Sequence, residues 1–436
     1  MGASKTILLL LALSLPLGAQ TEGRHRTRTE AVQLGPSALV REAEFAIDRQ
    51  DYAAAEPKLQ QATAEDPKDY RAWFDLGFVY SSTDRKPQAI EAYRRSVELK
   101  PDVFESNLNL GVLLAASGSE EAEKYLRAAT QLKPVSKPEQ GQARAFLALG
   151  NFLESKSPTE SLRAFQAASQ LTPKDPAPHL SAGMLLEKQG DLLSAEKEFQ
   201  ATVELDPSST DALAGLANVY MRLKRLPDAE TALRSFLRLS PNDVNAHLQL
   251  GRVLRELGRA SEARAEFEIA AKTAPTDAAV LRELAAADAF DSRFPEAEAR
   301  YRELLKQQPD DPELRYSLGS VLLKQKRFAE AEEQLLEAVR LRPGLADAYG
   351  ELAVAAAENK HYELAIRALD QRARYLPEMP GTCFLRATSY DNLRAYPQAA
   401  DAYHRFLELS GGKYPEQEWQ ARHRLLAIEP KGKRKK

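Results

Sequence analysis

The feature that most constrains the fold is a proline that recurs at a fixed interval. Pro67 and Pro101 are 34 residues apart, and the next two steps, to Pro134 and to Pro173, are 33 and 39 residues. From there the 34-residue spacing is unbroken, through Pro173, Pro207, Pro241, Pro275, Pro309, Pro343 and Pro377. A fixed period of this length indicates a repeat array, here with one insertion near Val135 to Gln142. Because proline lacks an amide proton and clashes with the preceding turn, each one is expected to end a helix.

Three positions within the repeat have a restricted side-chain size when the proline is numbered 32. Position 8 is always small: Ala43, Gly77, Gly111, Gly150, Gly183, Ala217, Gly251, Ala285, Gly319, Ala353 and Ala387. Position 20 is never larger than serine: Ala55, Ala89, Ala122, Ser161, Ala195, Ala229, Ala263, Ala297, Ala331, Ala365 and Ala399. Position 24 is large and apolar: Leu59, Tyr93, Leu126, Phe165, Phe199, Leu233, Phe267, Tyr301, Leu335, Leu369 and Tyr403. This pattern predicts two helices that cross closely, with a bulky side chain beside the crossing.

The repeats resemble the tetratricopeptide family, whose signature runs W-x2-L-G-x2-Y, then A-x3-F, then P. The second unit reproduces it with Trp73, Leu76, Gly77, Tyr80, Ala89, Tyr93 and Pro101. The resemblance covers residues 36–411 and implies an all-α fold, a right-handed α-solenoid superhelix of about eleven 34-residue helix-turn-helix repeats. Some units depart from the signature, at position 4, at position 11 and at the last proline: Asn107, His179, His247, Arg315, Cys383, Asp288 and Gly411. These units are expected to pack less tightly, and Asp288 most of all.

The amino terminus has the pattern of an export signal. Lys5 precedes an apolar core from Ile7 to Leu15, and small residues follow, so residues 1–19 are predicted to be a signal peptide cleaved after Ala19. The apolar run is shorter than the roughly 20 residues that cross a bilayer. Leu17 stands where cleavage sites prefer a small side chain, which leaves an uncleaved inner-membrane anchor as the alternative. Residues 20–35 are predicted to form a flexible leader.

The carboxy terminus is predicted to close the array, because a last hairpin would otherwise expose an apolar face. Residues 412–430 are assigned to a capping helix, in which four apolar side chains pack inward: Trp419, Leu425, Leu426 and Ile428. Four charged side chains are expected to face solvent: Glu416, Glu418, Arg422 and Arg424. Residues 431–436 form a basic tail, which is either a solvated end or a weak contact for an anionic membrane or polymer.

Composition and residue spacing argue against several functions. The formal net charge is −3 and the pI near 6.2, so nucleic acid is not expected as a partner. Cys383 is the single cysteine and is expected to be a buried thiol. The six histidines lack the spacing of a helical zinc site, and the Gly411–Lys413 run is better explained as a helix end than as a phosphate loop. No catalytic residue, metal or cofactor is predicted.

The resemblance places a ligand groove on the first helix of each hairpin, chiefly at positions 2, 5, 9, 12 and 13. In such arrays this surface usually holds a peptide or a partner protein. The amino-terminal third of the array carries an apolar stripe at positions 5 and 9: Phe74, Phe78, Leu108, Val112, Leu147, Leu180 and Met184. The stripe either contacts a ligand or packs between helices.

The middle of the predicted groove is polar and basic. It carries Asn218, Arg222, Asn245, Gln249, Arg252, Arg255 and Arg282. Arginine forks bind carboxylates, and the set is partly similar to a carboxylate clamp, although Ala214 and Ala286 stand where that clamp needs basic residues. Glu256 and Glu283 offer the alternative of a neutralised, solvated face. The groove then becomes acidic, with Glu313, Asp347, Glu351 and Glu358.

These features predict a non-catalytic, exported scaffold that binds a protein or peptide segment in its groove. The alternative is an assembly or export factor for a cell-envelope polysaccharide or protein complex, and an enzyme whose site is not recognisable ranks third. The signal predicts a periplasmic or secreted protein of bacterial origin. Membrane contact is expected only through an uncleaved signal or the basic tail, and the sequence does not specify an oligomeric state.

Overall fold

The computed structural model describes residues 37–429, and within that range the chain folds into 23 helices. The predicted signal peptide, leader and basic tail lie outside the described residues, as does Pro430. The first 22 helices follow one another as eleven helix-turn-helix pairs, and one terminal helix remains. The all-α array predicted from the proline period is therefore confirmed.

The chain divides into two compact units at Ser235 and Phe236. The helices of the first unit are α1 (Ala38–Asp48), α2 (Tyr52–Glu65), α3 (Tyr70–Ser82), α4 (Lys86–Leu99), α5 (Phe104–Ala116), α6 (Ala122–Gln131), α7 (Pro138–Leu153), α8 (Pro158–Leu171), α9 (Pro176–Gln189), α10 (Leu192–Leu205) and α11 (Thr210–Arg222). The division falls inside α12 (Leu226–Leu239).

The helices of the second unit are α13 (Val244–Glu256), α14 (Ala260–Thr273), α15 (Ala278–Phe290), α16 (Phe294–Gln307), α17 (Pro312–Lys324), α18 (Phe328–Leu341), α19 (Ala346–Glu358), α20 (Tyr362–Ala373), α21 (Pro380–Asn392), α22 (Tyr396–Ser410) and α23 (Pro415–Ile428). Aspartate and serine side chains cap the starts of many helices in both units, as Asp69 does for α3 and Asp311 for α17.

The close crossing predicted within each hairpin is present, and it explains the small residue at position 8. A Cβ atom added to Gly150 would lie 2.4 Å from Cε1 of Phe165, and one added to Gly251 would lie 2.3 Å from Cε1 of Phe267. The aromatic ring at position 24 therefore occupies the space that a side chain at position 8 would need. The position 20 residues are buried in every hairpin.

Position 4 has a role that its varied residues conceal. Four different side chains there donate a hydrogen bond to the backbone carbonyl of the proline that closes the preceding repeat. The bonds run from Trp73 Nε1 to Pro67 O (3.0 Å), from Asn107 Nδ2 to Pro101 O (2.8 Å), from His247 Nε2 to Pro241 O (3.0 Å) and from Arg315 Nε to Pro309 O (3.0 Å). The expectation of looser packing is not met at Asn107 and His247, which are buried, because each replaces the tryptophan with another N–H donor.

Cys383 is buried, as expected, and its repeat satisfies the same carbonyl in another way. A thiol is a weak donor, and here the guanidinium of the buried Arg372 donates to Pro377 O over 3.1 Å. The carbonyl of Pro377 is thus paired although position 4 of the following repeat carries only a weak donor.

The prediction that Asp288 marks the loosest packing is not supported by the structure. The side chain is fully buried and lies between two guanidinium groups. Arg264 Nη1 is 2.6 Å from Oδ1, as an ion pair rather than a well-directed hydrogen bond, and Arg300 donates to Oδ2. Asp288 is therefore part of a buried ion cluster that bridges α14, α15 and α16.

The insertion predicted near residues 135–142 lengthens a helix and its preceding loop. Helix α7 has 16 residues, against 13 in α3 and α5, and residues 132–137 connect it to α6. Gly141 allows the loop to fold back on the helix, since a Cβ atom there would lie 2.5 Å from Cγ of Pro134.

The terminal helix α23 covers the last hairpin with a narrower face than predicted. Ala421 and Leu425 are buried and Ile428 packs beside them, because their spacing of four and three residues follows one side of a helix. Trp419 and Leu426 lie on the other side and are 61% and 59% exposed, so their predicted inward packing is wrong.

One charge of α23 also differs from the prediction. Glu418 is half-buried and accepts hydrogen bonds from Ser410 Oγ (2.6 Å) and from the amide of Gly412 (2.7 Å), so its carboxylate joins α23 to the end of α22. Glu416, Arg422 and Arg424 are exposed, as expected. Arg424 also donates from Nη2 to Asp391 Oδ1 over 2.8 Å.

Candidate functional site

The apolar stripe predicted in the amino-terminal third divides into buried and accessible members. Phe78 is only 4% exposed, and its ring meets Tyr52 edge-on with centroids 6.3 Å apart. Phe74 is half-buried against Tyr93, with centroids 5.6 Å apart. Phe78 therefore offers almost no surface to a ligand, because its side chain fills the core of the first hairpins.

Three other members of the stripe line one pocket. Leu108, Val112 and Leu147 are three of its lining residues, and it has a volume of about 100 Å³. It lies between α3, α5 and α7, and the buried Tyr93 of α4 forms part of its base. Leu180 and Met184 do not line it. An apolar cavity of about 150 Å³ binds benzene, so this pocket has room for one aliphatic side chain.

The guanidinium of Arg144 lies in the wall of this pocket. The side chain is half-buried, and within residues 37–429 it forms no ion pair or side-chain hydrogen bond. Burial lowers the pKa of Arg144, and no neighbouring carboxylate opposes that effect. Because a buried guanidinium is costly without an acceptor, an anionic group entering the pocket would find an unoccupied two-pronged donor.

Polar groups complete the rim of the pocket. Asn109 donates from Nδ2 to the hydroxyl of Tyr93 over 3.3 Å. Asn151 is exposed, and its amide forms no side-chain hydrogen bond within the described residues. Such an amide can donate to and accept from a peptide backbone at the same time. The pocket thus combines an apolar floor, one cation and, in Asn151, one amide without a side-chain hydrogen bond in the described residues.

The predicted basic sector falls partly in each unit, and its charges are compensated locally. In the first unit, Asn218 donates to the carboxylate of Glu187, and Arg222 Nη1 donates to the backbone carbonyl of Glu187 over 3.1 Å. Arg222 also lies 3.9 Å from that carboxylate. Both groove residues are therefore occupied by one acid of the preceding hairpin.

In the second unit, Glu283 neutralises two of the arginines, as the alternative interpretation allowed. Arg252 Nε and Arg255 Nη1 donate to its two oxygens over 2.5 and 2.6 Å. Arg282 donates to Asp311 over 3.0 Å and to Gln308 over 3.1 Å. Although burial opposes the effect, the hydrogen bond from Arg282 lowers the pKa of Asp311. These three groove arginines are thus engaged with carboxylates of the same unit.

The remaining polar residues of the second unit are less engaged. Asn245 is exposed and Gln249 half-buried, and their amides form no side-chain hydrogen bonds within residues 236–429. In the acidic sector, Glu313 pairs with Arg342, whereas Glu351 accepts from the hydroxyls of Tyr316 (3.3 Å) and Ser320. Burial raises the pKa of Glu351.

Arg144 was not predicted from the sequence, because the groove residues singled out in the amino-terminal third of the array were all apolar. It stands at position 2 of its repeat, one of the groove positions, so its place could have been read from the repeat numbering. Its lack of a partner could not be read from the repeat numbering. Whether a groove arginine is neutralised depends on side chains about 30 residues away, as Arg252 and Glu283 show.

Of the five histidines within residues 37–429, four each contact one glutamate, and the fifth contacts a backbone carbonyl. His179 Nδ1 lies 2.7 Å from Glu198, His247 Nδ1 lies 2.6 Å from Glu266, and His361 Nδ1 lies 2.8 Å from Glu332. Across residues 37–429, no group of three or more histidine, cysteine or acidic side chains is placed to hold a metal ion. In the same range no helix has both the length and the apolar character needed to cross a membrane.

Several known proteins are similar to parts of this chain. One curated relative is the human protein O-mannosyl-transferase TMTC1, 27% identical over 150 residues, which is 33% of this chain and 16% of that protein. Among solved structures, YrrB, described as a TPR protein with an unusual peptide-binding site, is 22% identical, with a TM-score of 0.40 over 43% of this chain and 96% of its own. A tetratricopeptide repeat protein from Parabacteroides merdae is 16% identical, with a TM-score of 0.40 over 56% of this chain and 96% of its own.

The match to a family model is more extensive than any of these. The tetratricopeptide repeat model matches residues 41–104, 82–136, 180–244, 215–278 and 283–346. Together these segments cover more than half of the chain, and they coincide with hairpins whose positions 8, 20 and 24 pack as the repeat requires. The chain therefore belongs to the tetratricopeptide repeat family.

Proposed function

We propose that this chain is an exported, non-catalytic scaffold that binds a segment of a partner protein on the first helices of its repeats. The single observation that supports this role best is the pocket between α3, α5 and α7, where a guanidinium with no partner in residues 37–429 adjoins an apolar floor. The family supports it as well, since tetratricopeptide repeats typically bind proteins or peptides.

Peptide selection against the purified protein tests this role. Peptides from a random displayed library should enrich for a common motif, and Val112→Phe, which fills the pocket, should weaken their binding. Burying one aliphatic side chain contributes about 1.5–3 kcal/mol, so the loss should be about tenfold to a hundredfold. Fluorescence polarisation of the enriched peptides gives the dissociation constants.

The matched control is Val354→Phe, at position 9 of a repeat in the second unit. Val354 is exposed, whereas Val112 occupies the same position beside the pocket. Binding should be unchanged in this variant. The proposal fails if no motif is enriched, or if the enriched peptides bind the Val112→Phe protein as tightly as the original.

Export is proposed from the signal pattern of residues 1–19. In a bacterial host, the protein recovered outside the cytoplasm should begin at Gln20, because Ala19 is the small residue before the expected cleavage point. Intact mass spectrometry measures this directly. Leu17→Ala should increase the cleaved fraction, and deletion of residues 7–15 should keep the protein inside the cell. Recovery of the full chain from the membrane fraction would instead establish an anchor.

A further inference from the structure

The outer face of the terminal helix α23 carries apolar side chains, although the end of a repeat array is expected to present a polar face to water. Pro415, Trp419, Arg422 and Leu426 form this outer face, because their spacing of four, three and four residues follows one side of a helix. We propose that the outer face of α23, together with the basic residues that follow it, binds the surface of an anionic phospholipid membrane. This contact is separate from the groove, so it goes beyond the proposed function and does not rest on it.

The two tryptophans of the chain differ in their surroundings. Trp73 has a structural role, since it is half-buried and its Nε1 donates to Pro67 O over 3.0 Å. Trp419 is 61% exposed, and its ring lies against that of the exposed His423, with centroids 4.0 Å apart. Tryptophan is enriched at the level of lipid headgroups, where its ring meets both apolar and polar surroundings. The exposure of Trp419 therefore suits a membrane surface better than water.

Leu426 extends the apolar surface along the helix. It is 59% exposed and lies two turns beyond Trp419, about 10 Å along the helix axis. Arg422 stands between them, with its side chain 66% exposed. A helix that lies in a membrane surface buries apolar side chains of this kind and keeps its basic side chains among the headgroups. Trp419 and Leu426 can thus enter the same surface together.

Positive charge follows this helix directly. Residues 431–436 contribute five cations: Lys431, Lys433, Arg434, Lys435 and Lys436. Each basic residue near an anionic membrane contributes about fivefold to affinity. The charge of this segment is opposite to that of the proposed surface, and it adjoins the end of the helix that carries Leu426.

The acidic residues of α23 and its end oppose this contact little. Glu418 accepts hydrogen bonds from Ser410 and from the amide of Gly412, and Glu429 lies 2.6 Å from Nε2 of His404. Both carboxylates are directed to the preceding hairpin. Glu416 is exposed, but it stands in the first turn of α23, at the opposite end from the basic residues.

Charge and apolar surface together favour a bilayer over other occupants. A second copy of the chain would bring two sets of five cations together, and like charges at an interface repel. An anionic polymer would offer charge without an apolar layer for Leu426 and Trp419. An anionic bilayer supplies both, since its phosphate groups lie directly above its acyl chains.

Quenching of tryptophan fluorescence by brominated lipid tests the proposal on the full chain. Vesicles of brominated phosphatidylcholine and phosphatidylglycerol, in a ratio of about two to one, should quench Trp419, whereas vesicles of brominated phosphatidylcholine alone should not. Trp419→Phe is the matched control, because the remaining emission of Trp73 should not be quenched. Both tryptophans lie within residues 37–429, so the predicted signal peptide contributes no emission.

Two further variants separate the charge from the apolar face. Glutamine in place of the five cations of residues 431–436 should raise the half-saturating lipid concentration by about a hundredfold or more. Leu426→Ser should raise it about tenfold. Leu193→Ser is the control, since Leu193 on α10 is 63% exposed and lies outside this face, and it should change nothing. Melting curves that coincide for the variants show that the repeats stay folded.

Four results would overturn the proposal. Trp419 would remain unquenched, or neutral vesicles would quench it as strongly as anionic ones. Leu426→Ser would bind like the original protein. Analytical ultracentrifugation would show a dimer that Leu426→Ser dissociates, which would assign the face to a second copy. In each case, library peptides that still depend on Val112 would leave the proposed scaffold role intact.

Discussion

Position 4 of the repeat shows how one physical requirement can be met by unrelated residues. Trp73, Asn107, His247 and Arg315 differ in size and charge, yet each places an N–H group within 3.0 Å of the same backbone carbonyl. That carbonyl belongs to a proline at the junction of two repeats, where helix hydrogen bonding has stopped. The side chain supplies the bond that the backbone cannot.

Removing this donor should destabilise the junction. In Asn107→Leu the carbonyl of Pro101 loses its partner, and the cost should be about 0.5–1.5 kcal/mol, the usual net contribution of one hydrogen bond. The midpoint of urea denaturation measures the change. Asn107→His is the control, because His247 forms the bond at this position in another repeat, and it should lose less than half as much. Equal losses in the two variants would show that volume matters rather than the donor.

The residue scale also separates what the sequence could predict from what it could not. Gly150 and Phe165 were recognisable because one steric contact restricts the size of both residues in every repeat. The role of position 4 was not recognisable, because the residue type there varies and only the N–H donor is common to the four residues. The inward packing predicted for Trp419 was wrong because apolar character does not say which side of a terminal helix has a neighbour.

At the scale of helices, ion pairs join consecutive repeats at one recurring site. Position 16 of one repeat meets position 21 of the repeat before it. Arg85 pairs with Glu56 at 2.8 Å, Arg225 with Glu196 at 2.8 Å, Arg327 with Glu298 at 2.7 Å and His361 with Glu332 at 2.8 Å. The hydrogen bond from Arg85 lowers the pKa of Glu56. These pairs set the register between neighbouring second helices.

Asp288 belongs to a described junction at which this ion pair cannot form. Arg264 stands at position 21 in place of the glutamate, and Arg293 follows at position 16, so the usual pair would be repulsive. Arg264 pairs instead with Asp288. Asp288 stands at position 11, which is apolar or aromatic in most repeats. The sequence shows that an arginine replaces the usual glutamate at position 21. The ion pair with Asp288 that compensates for it is visible only in the structure, where the two helices are in contact.

Breaking this cluster should be costly, because it leaves buried arginine charge without its partner. We expect Asp288→Ala to lower the free energy of unfolding by about 3–5 kcal/mol. Asp291→Ala is the control, since Asp291 is exposed and 3.3 Å from Arg264, and it should cost less than about 1 kcal/mol. The double change Asp288→Tyr with Arg264→Glu restores the usual pattern and should recover most of the loss. Thermal denaturation compares the four proteins, and a double variant no better than Asp288→Ala would exclude this account.

At the scale of the whole molecule, repeats of this kind contact only their sequence neighbours, so disturbances should stay local. The terminal helix α23 offers a test, since Leu425 is buried against the last hairpin and Leu426 is exposed. Leu425→Ala should cost about 2–5 kcal/mol. It should increase amide hydrogen exchange in α21 and α22 and leave α3 to α8 unchanged.

The adjacent substitution provides the comparison for that experiment. Leu426→Ala removes the same atoms from the same helix without opening a cavity, and exchange should stay as it is in the original protein. Mass spectrometry of proteolytic fragments resolves the two ends of the chain. Faster exchange in α3 to α8 would show that the array unfolds as one cooperative body.

The proline period was sufficient to predict the number and order of hairpins, because repetition averages out the exceptions in single units. The proline period could not predict which part of the groove remains available to a ligand. That depends on whether a groove charge is already satisfied. Arg252 is paired with Glu283, whereas Arg144 has no such partner in the part of the chain that the structure describes. The apolar floor of the candidate site was therefore predicted from the repeat numbering. Its cation, Arg144, was identified only in the structure.

The two ways in which neighbouring repeats are joined have different consequences for how such a chain can grow. The hydrogen bond from position 4 ends on a backbone carbonyl, which every repeat presents whatever its side chains. The ion pair between positions 16 and 21 needs a particular residue in the adjoining repeat. A duplicated or transplanted hairpin that carries an N–H donor at position 4 would form the first bond with whichever repeat precedes it, and would lose the second wherever the charges do not match. The carbonyl contact thus places fewer demands on the side chains of the adjoining repeat than the ion pair does.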